Sequence, residues 1–219
     1  MSHYGLRADV YCCIANGRAA FLDVAADRYF GLPSNLEADF AAFISAGCPS
    51  SQAEQSLAPL IRSGLLEHRQ DEVPSILARP PTAARLSVFD APRPRAGILD
   101  IGIAVASQVA TARALQRHPL KTVLARCGAQ TTKAARSQSP PIEAISGFLA
   151  TRRLIGTQDR CLRWSLAMVA FLSHHRCYPQ LVLGVKMAPF AAHAWVQHDD
   201  VILNDDVDRV RPYTPILVI

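Results

Sequence analysis

Most signatures that name an activity at sight are missing from this chain of 219 residues. It has no Walker-type phosphate loop, no glycine-rich dinucleotide turn and no HExxH helix, so nucleotide binding and zinc-protease chemistry have no motif to rest on. There is no CxxC pair either. The cysteines, at positions 12, 13, 48, 127, 161 and 177, are irregularly spaced, which argues against a disulfide framework and for reduced thiols. Cys12 and Cys13 are adjacent, and in an extended strand they face opposite ways, so they cannot grip one metal together. No stretch matches the roughly 20 apolar residues of a membrane span. The run 98–112 comes nearest and is interrupted by Asp100, Ser107 and Gln108. The first residues, Met1-Ser-His-Tyr-Gly5, hold no apolar signal core, so export is not expected and the cytoplasm is the expected location.

What is present is enough apolar material to fold: 50% of the residues are hydrophobic. The length suits one sizeable domain or two small ones. The net charge of +5 hides an asymmetry. Up to Glu72 there are five Lys/Arg and nine Asp/Glu, giving −4; from Val73 onward there are eighteen and nine, giving +9. A basic C-terminal part attracts an acidic peptide, a partner protein or nucleic acid, and charge alone does not choose among them.

In the first 73 residues, Asn16-Gly17 between two apolar runs signals a hairpin over 9–23. A third strand is expected over 28–32, Arg28-Tyr-Phe-Gly-Leu32. Ser34 or Asn35 can cap a helix with Leu36, Phe40, Phe43 and Ile44 on one face, and Glu37, three residues after Ser34, has capping-box spacing. A second helix starts at Ser50 or Ser51, carries Pro59 as a flaw, and stops at Gly64. Three small strands with helix, turn and helix make a winged-helix-like unit. DNA binding is weighed against a peptide-interaction role here. The start of the second helix, Ser51-Gln-Ala-Glu54-Gln-Ser56, has no basic residue and the unit is acidic; both count against nucleic acid. A three-stranded edge beside a helix is instead suited to adding an extended peptide as a further strand.

Residues 74–97 form a break in composition, with Arg79-Pro-Pro and Ala91-Pro-Arg-Pro-Arg95, which reads as a Pro/Arg-rich linker that polyproline geometry stiffens. A short ordered element is expected within it, over 83–89. Beyond it, 98–219 reads as a second domain: helices first (98–116, 120–127, 142–155 and one from Cys161), then strands over 180–187, 193–197, 201–205 and 214–219. That order is α+β.

The chemistry concentrates in 161–205. Cys161 opens a helix, where free backbone N–H groups and the dipole favour a thiolate. Thr157 or Asp159 is the expected cap. His193 lies on a strand with Trp195 on its face. If Asp199-Asp200 turns a hairpin, facing residues sum to about 398 or 399, and Asp205 falls opposite His193. A thiol, an imidazole and a carboxylate in that relation are a nucleophile, a base and its orienting group. Alternatives remain: Cys161 as a small core residue, His193 as a structural hydrogen-bond partner, or a Cys/His/Asp zinc site, which lacks a convincing fourth ligand.

The ordered set Cys161-Leu-x-x-Ser165-Leu, Leu183-Gly-Val-Lys186, Pro189-Phe190, His193-Ala-Trp195-Val196 and Val201-Ile-x-Asn204-Asp205 resembles the C-terminal domain of lasso-peptide B proteins. These are leader peptidases with a transglutaminase-like, papain-related cysteine protease fold. The first 70 residues resemble, more weakly, a PqqD-like precursor-recognition domain. The resemblance implies catalytic Cys161, His193 and Asp205, with Gln158 as a speculative oxyanion donor beside the Cys161 N–H. It implies that a precursor leader adds as a strand along Arg28, Tyr29, Phe30 and Leu32. It implies removal of that leader before a separate ATP-dependent, asparagine-synthetase-like macrolactam synthetase closes the ring. No cofactor or metal is implied for this chain, because ATP belongs to the synthetase. A non-catalytic peptide-binding adaptor and a transglutaminase-type acyltransferase are the competing functions.

Overall fold

The computed structural model describes residues 3–46, 51–69, 76–92, 94–131, 138–153 and 161–219. The architecture is α+β in two parts, as the order of sequence patterns implies. The first part begins with β1 (His3–Leu6), β2 (Val10–Ala15), β3 (Arg18–Asp23) and β4 (Arg28–Gly31). Helices α1 (Ser34–Ala46) and α2 (Ser51–Arg62) follow, and β5 (Leu66–Arg69) returns to pair with β1. The β2–β3 turn puts Asn16 and Gly17 at φ 51° and 75°, the left-handed pair that a two-residue hairpin requires.

The sheet β2-β3-β4 is buried on both faces. Cys12, Ala19 and Phe21 point into a core with Phe40, Phe43, Leu57 and Leu66 of the first part. Their neighbours Cys13, Ala20 and Leu22 point into the core of the second part. This accounts for a β3 sequence, Ala-Ala-Phe-Leu, in which apolar and polar residues fail to alternate. Glu37 is not spent on a capping box. Its Oε2 accepts the Ala19 N–H at 2.8 Å, tying α1 to the outer start of β3. Pro59 sits inside α2, which continues through it to Arg62.

The described part of the proline-rich segment is anchored at both ends. Leu77 bridges to Cys12, and the Ala78 N–H donates to the Cys12 carbonyl. Then β6 (Leu86–Ser87) pairs in parallel with β9 and becomes an edge strand of the second sheet.

The second part contains α3 (Ile98–Arg117), α4 (Leu120–Thr131) and α5 (Ile142–Ala150), which ends in a 3₁₀ turn (Thr151–Arg153); α6 (Cys161–His174) follows. Next come β7 (Gln180–Met187), β8 (Phe190–His198), β9 (Val201–Ile202), the single turn α7 (Val207–Val210) and β10 (Thr214–Val218). Sheet order is β10-β7-β8-β9-β6. The helices cover one face, where Phe148, Met168, Phe171 and Leu172 meet Leu181, Val185 and Val196. On the other face Val182, Trp195, Ile202 and Val210 form a smaller cluster. By length and mean hydropathy, 1.4, α3 is long and apolar enough to cross a membrane. The fold instead packs it on α5 and α6 and buries its Ser107, Gln108 and Thr111.

The 201–205 strand expected from the sequence is shorter, ending at Ile202, yet its register is the expected one. Gln197 faces Ile202 and His198 faces Val201, with Asp199 at φ 52° in the turn. Past Ile202 the pairing persists as one bond, from the Leu203 N–H to the Val196 carbonyl.

Candidate active site

Cys161 begins α6 as described and is half-buried; the expected caps Thr157 and Asp159 lie outside the described residues, as does Gln158. His193 lies mid-way along β8 and Asp205 just beyond β9, both buried. The hairpin register brings the last two together: His193 Nε2 is 2.5 Å from Asp205 Oδ2. The second carboxylate oxygen accepts the Asp206 N–H at 3.0 Å and has Arg209 Nε at 3.7 Å. With Nε2 held by Asp205, Nδ1 is the ring nitrogen left for the thiol, and Cys161 and His193 lie close enough for each to shift the other's titration.

The electrostatics follow from these contacts. Burial pushes the Cys161 thiol up, but the hydrogen bond and charge of His193, with N–H donation from Ala194 and Leu162, outweigh it and the net shift is downward. Burial alone pushes Cys13 and Cys127 up to about 11. Cys161 is thus distinguished by its environment. For His193 burial favours the neutral ring, and the hydrogen bonds and charges of Asp205 and Cys161 reverse this, raising it to about 9. Asp205 is held low, its burial overcome by the His193 and Asp206 hydrogen bonds and by Arg209. Thiolate and imidazolium therefore stabilise each other, which is the reactive form of a cysteine nucleophile.

Around the imidazole, Tyr213 packs with a centroid separation of 5.2 Å, and Trp195 lies at 6.3 Å with its plane 23° off parallel. Both restrict water at the ring. The Trp195 indole donates to Gln197 Oε1 at 3.2 Å, and the Gln197 amide donates to the carbonyls of Thr82 and Asp199. Opposite His193 on β7 stands Gly184, where a Cβ would lie 2.8 Å from the Trp195 ring.

Two polar residues join the helix to the strand. Ser165, one turn after Cys161, donates to the Ala194 carbonyl at 3.0 Å. Asn204 donates to Ser165 Oγ at 2.8 Å and accepts the Val196 N–H at 2.8 Å. Both stood in the sequence pattern without a role; here they set Cys161 against His193. Ser87 carries no signal of a role in the sequence. Its hydroxyl donates to the Asp205 carbonyl at 2.7 Å, so the segment before α3 also positions the carboxylate.

Among the described residues no group of three or more His, Cys, Asp or Glu side chains is arranged to hold a metal. The proposed peptide edge, Arg28, Tyr29 and Phe30 on β4 with Leu32 just after it, borders the three-stranded sheet. Phe30 stacks on Phe21 at 5.0 Å, Arg28 lies over the Phe30 ring, and Tyr29 turns to Phe190 of β8 at 5.8 Å.

A family model described as the transglutaminase-like superfamily matches residues 105–218, a stretch that contains Cys161, His193 and Asp205. The chain belongs to the transglutaminase-like superfamily. No curated protein and no solved structure matches it.

Proposed function

We propose that this chain is a cysteine peptidase that removes the leader of a lasso-peptide precursor, acting in the cytoplasm before a separate synthetase forms the macrolactam. The observation that carries the reading is the Cys161–His193–Asp205 contact set, in which the thiol is lowered and the imidazole raised. A buried structural histidine has no need of a half-buried thiol at a helix start, and the shifts of these two groups are opposite to what burial gives. Membership of the transglutaminase-like superfamily supports acyl chemistry at this thiol.

In this reading the Cys161 thiolate attacks the scissile carbonyl, giving a tetrahedral oxyanion. The Cys161 N–H is the candidate donor to it. Collapse expels the amine of the core peptide, which takes its proton from His193, and leaves a thioester between leader and Cys161. Water then attacks that thioester, His193 accepts its proton, and the leader leaves as a carboxylic acid. Asp205 keeps the ring oriented and supports its positive charge throughout. The leader is recognised by the PqqD-like N-terminal unit, added as a strand along the edge of Arg28–Leu32. The freed amine is the group that the asparagine-synthetase-like partner joins to an Asp or Glu side chain.

The test is intact mass of a precursor peptide after incubation with the wild-type protein and with Cys161→Ala, with and without the synthetase. Cleavage at the leader–core junction that vanishes in the variant is expected. Leader binding without turnover by the wild type identifies an adaptor instead. A leader–amine adduct in place of a free acid identifies an acyltransferase of transglutaminase type.

A further inference from the structure

Beside Cys161 lies a cleft of about 580 Å³ that belongs to neither part of the chain alone. One wall is the β3–β4 turn, with Ala25, Ala26 and Asp27; the other is the α3–α4 junction with Pro119 and Leu120, and Leu162 lies beside the sulfur. The turn is firmly built. Asp23, buried at its root, accepts the N–H groups of Ala25 and Ala26 at 3.1 and 3.0 Å and is held by Arg7 at 2.6 Å. Ala25 and Ala26 are exposed, so a larger side chain at either position would fill the cleft without disturbing a core. Tyr29, two residues past the turn, feels the Cys161 charge on top of its own burial, which places this edge of the N-terminal sheet next to the nucleophile.

The chemistry of the walls limits what fits. Pro119, Leu120, Leu162 and the two alanine methyls present apolar surface. The charged residues at the cleft are of opposite sign, Asp27 against Arg163, with His118 beside them. A charged substrate side chain therefore meets a repelling group along with an attracting one and gains little net attraction. A small or medium uncharged side chain loses little and gains contact.

We infer that this cleft is the subsite for the substrate residue beside the scissile bond, and that the β3–β4 turn of the N-terminal unit helps to select an uncharged side chain there. The inference rests on the peptidase reading above. It adds that the unit assigned to leader recognition is also one wall of the reaction centre.

The test uses the full-length protein and three reagents: acetyl-Ala-Ala-Val, acetyl-Ala-Ala-Lys and acetyl-Ala-Ala-Glu chloromethyl ketones. The Cys161 thiolate displaces chloride from the methylene carbon, forming a thioether, and intact mass follows the labelling. Iodoacetamide, too small to need the subsite, reports the thiolate itself. The valine reagent is expected to label about tenfold faster than the lysine and glutamate reagents, and Ala26→Trp to slow it by about tenfold while iodoacetamide labelling is unchanged. Equal rates for the three reagents, or an unslowed valine reagent in Ala26→Trp, overturn the inference. Should iodoacetamide also slow in that variant, Ala25→Tyr repeats the block from the neighbouring position, and an unslowed valine reagent there overturns it equally. Wild-type selectivity for the valine reagent with no precursor cleavage removes the peptidase reading and leaves the subsite standing.

Discussion

His193 Nε2 stands 2.5 Å from Asp205 Oδ2, whereas Asp206, the next residue, is exposed and gives the pair only its backbone N–H. Two adjacent carboxylates thus have different work. Asp205→Asn is expected to lower the cleavage rate by about 10²–10⁴-fold, and Asp206→Asn to change it by less than about threefold. Peptide cleavage followed by mass checks this. Similar losses in both variants would reject the division of roles.

The same contacts fix the pH dependence. The Cys161 value is lowered, so the thiolate persists below the ordinary thiol range; the His193 value is raised to about 9, so the imidazolium persists to that pH. Cleavage needs both, and is expected to rise as Cys161 ionises and fall as pH passes about 9 and His193 loses its proton. Iodoacetamide labelling needs only the thiolate and should show no such fall. Asp205→Asn removes the carboxylate whose hydrogen bond does most to raise His193, and its charge with it, so in that variant the alkaline limb moves to lower pH. A limb that stays in place would mean that another group sets it.

Much of this arrangement was legible in the sequence because it depends on local rules. Asn16-Gly17 fixes one hairpin and Asp199-Asp200 another, and the second sets the register that brings Asp205 to His193 although the strand stops at Ile202. The apolar run Ala19-Ala-Phe-Leu22 was read as a strand, but its second buried face was not legible, because a local pattern does not say which distant element covers a sheet. For the same reason the ordered element expected over 83–89 has no legible partner: what it pairs with, Asp200, Ile202 and Asp205, lies more than a hundred residues away. Glu37 shows the converse, a good local capping signal diverted to a tertiary partner, the Ala19 N–H.

Ser165 and Asn204 join the helix of Cys161 to the strand of His193. Asn204→Leu leaves the buried Val196 N–H and the Ser165 hydroxyl without the amide that joins them. Loss of about 1–3 kcal/mol of stability is expected for each such buried group left unpaired. Urea unfolding measures it. Because Ala194, which donates to the Cys161 sulfur, is the same residue whose carbonyl Ser165 holds, Ser165→Ala should also raise the pH at which iodoacetamide labelling reaches half-maximum. A merely structural Ser165 would lower stability and leave that midpoint unmoved.

Gly184 is required by what lies over it. An alanine there would place Cβ 2.8 and 2.9 Å from the Trp195 ring and 3.0 Å from Tyr213 Cβ. The indole is poorly placed to yield, since it is buried and its N–H is held by Gln197. Nor can the Tyr213 side move freely, because it is backbone-attached carbon that meets the new methyl. Gly184→Ala is therefore expected to cost about 1–3 kcal/mol, the range for overpacking a filled core. The effect should reach the reaction, since both displaced rings flank His193. Denaturation midpoint and cleavage rate should fall together. A stable protein with an unchanged rate would show that the Trp195 side of the sheet repacks without moving the imidazole.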